Sequence, residues 1–84
     1  MRRHVRNYFK FFGYGEQDFV PCEICGSRAA DIHHLTYRSH GGDDTVNNCM
    51  ALCRYHHDMV HDEQISEEDL RIVHDNFIVD HGKF

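Results

Sequence analysis

Cys22-Glu23-Ile24-Cys25 and Cys53-Arg54-Tyr55-His56 are two pairs of metal-binding residues with the same short spacing, 27 residues apart. Together they offer three thiolates and one imidazole, a donor set suited to tetrahedral zinc. Four protein ligands leave no open position on the ion, so the zinc is expected to be structural. Gly26 follows the first pair and can adopt the positive φ that such a turn requires. Cys49 is left over. It reads as a small buried hydrophobe, with a place in the zinc set in exchange for His56 as the alternative. Asp31, His33, His34, Asn48, His57 and His61 then remain, too many polar groups for an apolar core. A His-His pair, an Asn fourteen residues on and two further histidines spaced i, i+4 ask for one joint explanation.

The elements that must position these residues can be read from periodicity. Val5, Tyr8, Phe9 and Phe12 recur with helical spacing and Gly13 follows, which predicts an amphipathic basic helix over 3–12 within an N-terminal segment 1–13. Ala29–Leu35 suits a strand, 36–47 an irregular loop around Gly41-Gly42-Asp43-Asp44, and Cys49–Leu52 a second strand. Residues 53–61 lack Gly and Pro and can form a helix, so the order is strand, loop, strand, helix. Ser66 stands three residues before Asp69 as a helix cap, and Leu70, Val73 and Phe77 follow on one face, predicting a docking helix over 66–79. The expected fold class is a small zinc-stapled α+β domain occupying 1–84, with a ββα core at 22–61 and flanking helices.

With 84 residues the chain buries little apolar surface and needs a staple; four Cys and nine His make metal the leading candidate. A disulfide framework is the competing reading, but the first residues show no secretory pattern, which predicts reduced thiols and an intracellular, cytoplasmic setting. No apolar stretch approaches the ~18 residues of a membrane span, so no membrane role is expected. The net charge of −5 weighs against a nucleic-acid partner. Its distribution weighs the other way: Arg2, Arg3, Arg6 and Lys10 precede any acid, while Glu63, Glu67, Glu68 and Asp69 crowd the distal third.

Asp31-Ile32-His33-His34, Gly41-Gly42-Asp43-Asp44, Asn47-Asn48-Cys49-Met50-Ala51-Leu52-Cys53 and His56-His57 together resemble the HNH, or ββα-metal (His-Me finger), endonuclease family. The resemblance covers 22–61, about half the chain. It implies that His34 is the general base and His33, just before it, a ligand to a catalytic divalent ion. It implies that Asn48 holds the base at its angle across the loop, and that His57 is a second ligand. His61 is similar to the additional histidine ligand of colicin-type members. His56 stands where the family usually has Cys, and Cys49 where it usually has Leu.

Those roles make chemical sense. A free imidazole titrates near ~6.5 and can take a proton from water at neutral pH. A single divalent ion with open positions can meet the charge that builds on the leaving and non-bridging oxygens. Histidine ligation admits Mg2+, Mn2+, Ni2+ or Zn2+. Asp31 shares a strand face with His33, to orient that ring, reach the ion through water, or simply face solvent. The reading is therefore a metal-dependent DNA endonuclease. The alternative is a non-catalytic zinc module binding DNA or protein, which would need the four zinc ligands but not His34. A thioredoxin-like reading of Cys22–Cys25 leaves Cys53 and His56 unexplained. Arg38 and the basic helix are placed to meet phosphate, with solvated charge as the alternative, and the acidic last helix is expected to face away from DNA. The likeness to small phage and prophage members implies a targeting or packaging protein as partner, and a phage-encoded origin in a bacterial host.

Overall fold

His4, Tyr8 and Phe12 form one stripe at i, i+4, i+8, and that stripe is what α1 (Arg3–Phe12) buries. The chain turns left-handed at Gly13 and leaves the helix there. Val5, Phe9 and Phe11 pack at the margin of the same core. The apolar spacing therefore located the helix, but the buried line includes a histidine that hydropathy alone assigns to solvent. The computed structural model describes residues 1–82.

The two short strands β1 (Asp31–His34) and β2 (Cys49–Leu52) pair antiparallel, with Ile32 opposite Ala51, His33 opposite Met50 and His34 opposite Cys49. The first strand is shorter than its apolar run suggested because β2 is only four residues long. Single backbone bonds, Ala30 N to Leu52 O and Leu35 N to Asn48 O, both 2.8 Å, extend the pairing at either end. Directly opposed residues share a face of the sheet. Ile32, Cys49 and Ala51 therefore join Tyr8, Phe12, Val20 and Phe77 in one core cluster. Met50 and Leu52 join Cys22, Leu35, Cys53 and Leu70 in another. All four residues of β2 are buried, as a strand covered on both faces must be.

After β2 the chain enters α2 (Arg54–His61), whose N-cap is Cys53, its sulfur accepting from the His56 amide at 3.5 Å. Ser66 caps α3 (Glu67–His81) through the Asp69 amide at 3.1 Å, the arrangement its spacing predicted. Between the strands, 36–47 contains a 3₁₀ turn at Arg38–His40 and leads into another at Val46–Asn48. Gly42 packs so closely on Thr36 that a Cβ there would lie 1.8 Å from its carbonyl oxygen, so only glycine fits. The result is the expected small α+β arrangement of three helices and a two-stranded sheet.

A buried polar network ties these pieces together. His74 on α3 places Nδ1 2.6 Å from Glu23 Oε1 and Nε2 2.7 Å from the Val46 carbonyl. Glu23 Oε2 accepts from the Tyr8 hydroxyl at 2.5 Å and from the Ala51 amide at 3.2 Å. His74 is wholly buried, and both of its nitrogens face acceptors, so the ring is held as an imidazolium. Burial opposes that charge, but the Glu23 carboxylate and the Val46 carbonyl outweigh it and raise the His74 pKa.

Candidate active site

The Cys22, Cys25, Cys53 and His56 donor atoms all lie within 4.8 Å of one another. The Cys25 and Cys53 sulfurs are 3.7 Å apart, Cys22 Sγ is 3.8 Å from His56 Nδ1, and Cys53 Sγ is 3.2 Å from the same nitrogen. A tetrahedron with metal–sulfur bonds of ~2.3 Å has edges of about 3.8 Å, so the four groups fit a tetrahedral ion. Gly26 turns the first knuckle with φ 80°. Burial raises the Cys53 thiol pKa, but hydrogen bonds from His56, Ser27 and Cys25 more than offset this and bring it down to about 6. Cys22 is pushed up by burial. Cys49 lies outside the donor cluster, fully buried between α1 and the sheet, its thiol pushed up to about 12 by burial and by Asp44 and Asp43.

Because side chains alternate along a strand, neighbouring His33 and His34 point to opposite faces of the sheet. His33 shares the face of Met50, towards α2. There its ring centroid lies 5.6 Å from that of His57 and 6.3 Å from that of His61. The last two, one helical turn apart, are 4.5 Å from each other. His33 is held down to about 4, first by burial and then by the charges His57 and His61 would carry. It is therefore neutral at pH 7, with a lone pair free for a cation. Asp31 reaches the same group, its Oδ2 3.7 Å from His57 Nε2. The three imidazoles, a ligand type that suits divalent transition ions, stand together along the end of β1 and one face of α2, but their donor atoms do not converge within 4.8 Å as those of the knuckles do.

His34 shares the face of Cys49, towards α1. Its Nε2 lies 2.9 Å from Asp44 Oδ1, and its ring is 4.3 Å from that of His4. A carboxylate can only accept, so Nε2 carries a proton, and Nδ1 is the ring nitrogen left to accept one from water. Asp44 is held below the usual carboxylate range by that bond, with Arg38 and Arg3 adding to it. His4 sits buried, donating from Nε2 to the Ile32 carbonyl at 3.0 Å. Burial, and then the neighbouring His34, lower its pKa, so it adds no charge beside His34 at pH 7.

Asn48 lies behind the loop and satisfies several of its backbone groups. Its Nδ2 donates to the Thr36 and Asp43 carbonyls and its Oδ1 accepts from the Thr36 amide, all at 2.9 Å. Arg71 of α3 donates to the same Oδ1 at 3.3 Å and to Thr36 Oγ1 at 2.7 Å. Asn48 therefore fixes the loop that carries Asp44, and through it the ring of His34. Residues the sequence reading missed are His4 and Asp44. The first was detectable from its place on the Tyr8–Phe12 stripe, whereas the second depends on how the loop folds. Glu67 of the acidic last helix, with Glu63 before it, lines a cavity of about 440 Å³ that also touches His33.

A zinc-type knuckle pair clasping a ββα unit, with histidines at the end of β1 and on α2, is the arrangement of a ββα-metal nuclease domain. The chain belongs to the HNH endonuclease family, whose model matches residues 22–63, half of its 84 residues. Over 52 residues it is 38% identical to the uncharacterized protein YdfU of Escherichia coli strain K12, covering 58% of this chain and 15% of that protein. Over 65 residues it is 32% identical to the type IV methyl-directed restriction enzyme EcoKMcrA of the same strain, covering 66% of this chain and 24% of that enzyme. The chain thus spans a quarter or less of the length of these curated relatives. No solved structure matches it. Family membership supports nuclease-type function at the level of the family. Among the described residues, no helix is long and apolar enough to cross a membrane.

Proposed function

We propose that this domain hydrolyses phosphodiester bonds in DNA, with His34 as general base and a single divalent ion held by His33 and His57 together with His61. The observation that carries the reading is the pairing of His34 with Asp44 on one face of β1 while its neighbour His33 joins two further histidines on the other. A non-catalytic module would need neither arrangement. A bound ion would supply charge stabilisation for the leaving and non-bridging oxygens of the phosphate. His34 Nδ1 takes a proton from the attacking water as its oxygen bonds to phosphorus and the bond from phosphorus to the 3′ oxygen breaks. Asp44, on Nε2, stabilises the imidazolium that results, and Asn48 keeps the loop from carrying Asp44 away. The departing 3′ oxygen takes a proton from solvent water, so the products are a 5′-phosphate and a 3′-hydroxyl. Cys22, Cys25, Cys53 and His56 hold structural zinc and take no part in the chemistry.

The proposed physiological catalytic ion is one of Mg2+, Mn2+, Ni2+ or Zn2+, and the proposed setting is intracellular. A targeting or packaging protein is the proposed partner, since a chain of net charge −5 has little basic surface with which to find DNA alone. Replacing His34 tests the reading. His34→Ala should slow plasmid nicking by roughly 10²–10⁴-fold, with zinc content and thermal unfolding as in the wild type. Nicking at the wild-type rate by the folded variant would remove His34 from the mechanism.

A further inference from the structure

On the side of His34 away from the three clustered histidines, the chain forms a cavity of about 510 Å³ lined by Arg2, Arg3, His4, His34, Arg38 and Asp44. Three guanidinium groups meet one carboxylate there. That carboxylate is already engaged, 2.9 Å from His34 Nε2 and 3.8 Å from Arg38 Nε. The arginines keep their capacity for an outside anion: Arg2 and Arg3 are exposed, and the Arg38 side chain is 70% exposed. Donor atoms of His4, His34 and Asp44 also converge within 4.8 Å, as a cation site would require. Three neighbouring arginines repel a dication and attract a phosphate, so the anion is favoured.

We propose that this cavity is a backbone-phosphate subsite in which Arg2, Arg3 and Arg38 hold a phosphodiester of the substrate strand next to the one that is cut. The inference rests on the nuclease reading and adds a path to it. The strand would cross the end of β1 with His34 between two anchors, the arginines on one side and the ion-binding histidines on the other. Local positive charge of this kind lets a chain of net negative charge engage nucleic acid at one place without a basic surface overall. Asn7 donates to the Asp44 carbonyl at 3.0 Å and His4 to the Ile32 carbonyl at 3.0 Å, so α1 and its arginines are fixed relative to the base.

The test is binding of a fluorescein-labelled DNA duplex to the zinc-loaded protein with no other divalent ion added, across a series of salt concentrations. The variants are Arg2→Gln/Arg3→Gln/Arg38→Gln, Arg38→Gln alone and, as a control, Arg54→Gln on the exposed side of α2. The triple variant should bind roughly tenfold or more weakly at about 0.1 M salt, and its salt slope should flatten by about 2 to 3. Arg38→Gln alone, which disturbs the fold least, should flatten it by about one, and Arg54→Gln should behave as wild type. Unchanged affinity and slope in the triple variant would overturn the proposal. So would binding of one zinc beyond the knuckle ion that His4→Ala abolishes, which would make the cavity a cation site. Because no cutting is needed, a protein that binds through the arginines but never cleaves would defeat the nuclease reading and leave the subsite standing. One that cleaves but binds through another surface would do the reverse.

Discussion

Stripping the knuckle ion should unfold the domain outright. Structural zinc sites contribute an apparent ~10–16 kcal/mol at neutral pH, whereas a domain of this size has a total stability of only about 5–15 kcal/mol. The two knuckles are far apart in sequence, and their ion would clasp the turn after Val20, which precedes β1, to the junction of β2 and α2. Dialysis against a strong zinc chelator should therefore abolish the cooperative thermal transition, and zinc should restore it. Cys53→Ser should fail to retain zinc and lose helical circular dichroism, since it removes a thiolate ligand while leaving a hydroxyl that can still cap α2. A chelated protein melting cooperatively at its original temperature would show that the apolar clusters suffice and that the knuckle ion is not the staple.

Breaking the Glu23–His74 pair should be nearly as damaging. Both side chains are wholly buried, at 0% exposure, so removing one takes from the other the opposite charge paired with it. His74→Leu should cost about 3–5 kcal/mol. In a domain of this length that corresponds to roughly 12 °C or more in melting temperature. Glu23→Leu/His74→Leu should recover part of the loss, because no charge is then stranded, and the recovery measures the coupling between them. The His74 pKa is raised on folding, so its contribution is complete below the ordinary value of 6.5. It is lost as pH rises from there through the folded value. Melting temperatures recorded upward from pH 6 should thus decline more steeply in the wild type than in His74→Leu. Parallel curves would show that the pair carries no proton linkage.

The parts of this structure that spacing could reveal are those where one local rule decides. Cys22, Cys25, Cys53 and His56 stand at ligand spacing whatever surrounds them, and Ser66 caps α3 because a serine three residues before an amide can do so anywhere. The histidines on α2 share a helix face by their i, i+4 interval alone. Other features depend on tertiary context. A histidine on an apolar stripe looks like an interruption, yet His4 and His74 are both buried because a carbonyl or carboxylate awaits them from another element. Glu23 sits between two knuckle cysteines and reads as a solvent-facing residue; only the arrival of Tyr8 and His74 makes it a buried hub. Asp44 was visible within the Gly-Gly-Asp-Asp run, but its partnership with His34 is made by the loop that Asn48 and Gly42 shape. The cavity that Glu67 of the last helix shares with His33 likewise depends on how α3 packs, which no local spacing rule supplies.

In the proposed mechanism two metal sites divide the work, one closed and holding the fold, the other open and serving His34. This division is tested most directly by incubating supercoiled plasmid with wild-type protein from which loosely held ions have been removed while one zinc per chain is retained. Magnesium, manganese, nickel and zinc are then returned in turn. Without an added ion no conversion is expected; with at least one of them the plasmid should become nicked or linear, and His57→Ala at the same zinc content should convert none. Cutting that persists with only the knuckle ion present, or none by the folded, zinc-loaded wild type under any of the four ions, would contradict it.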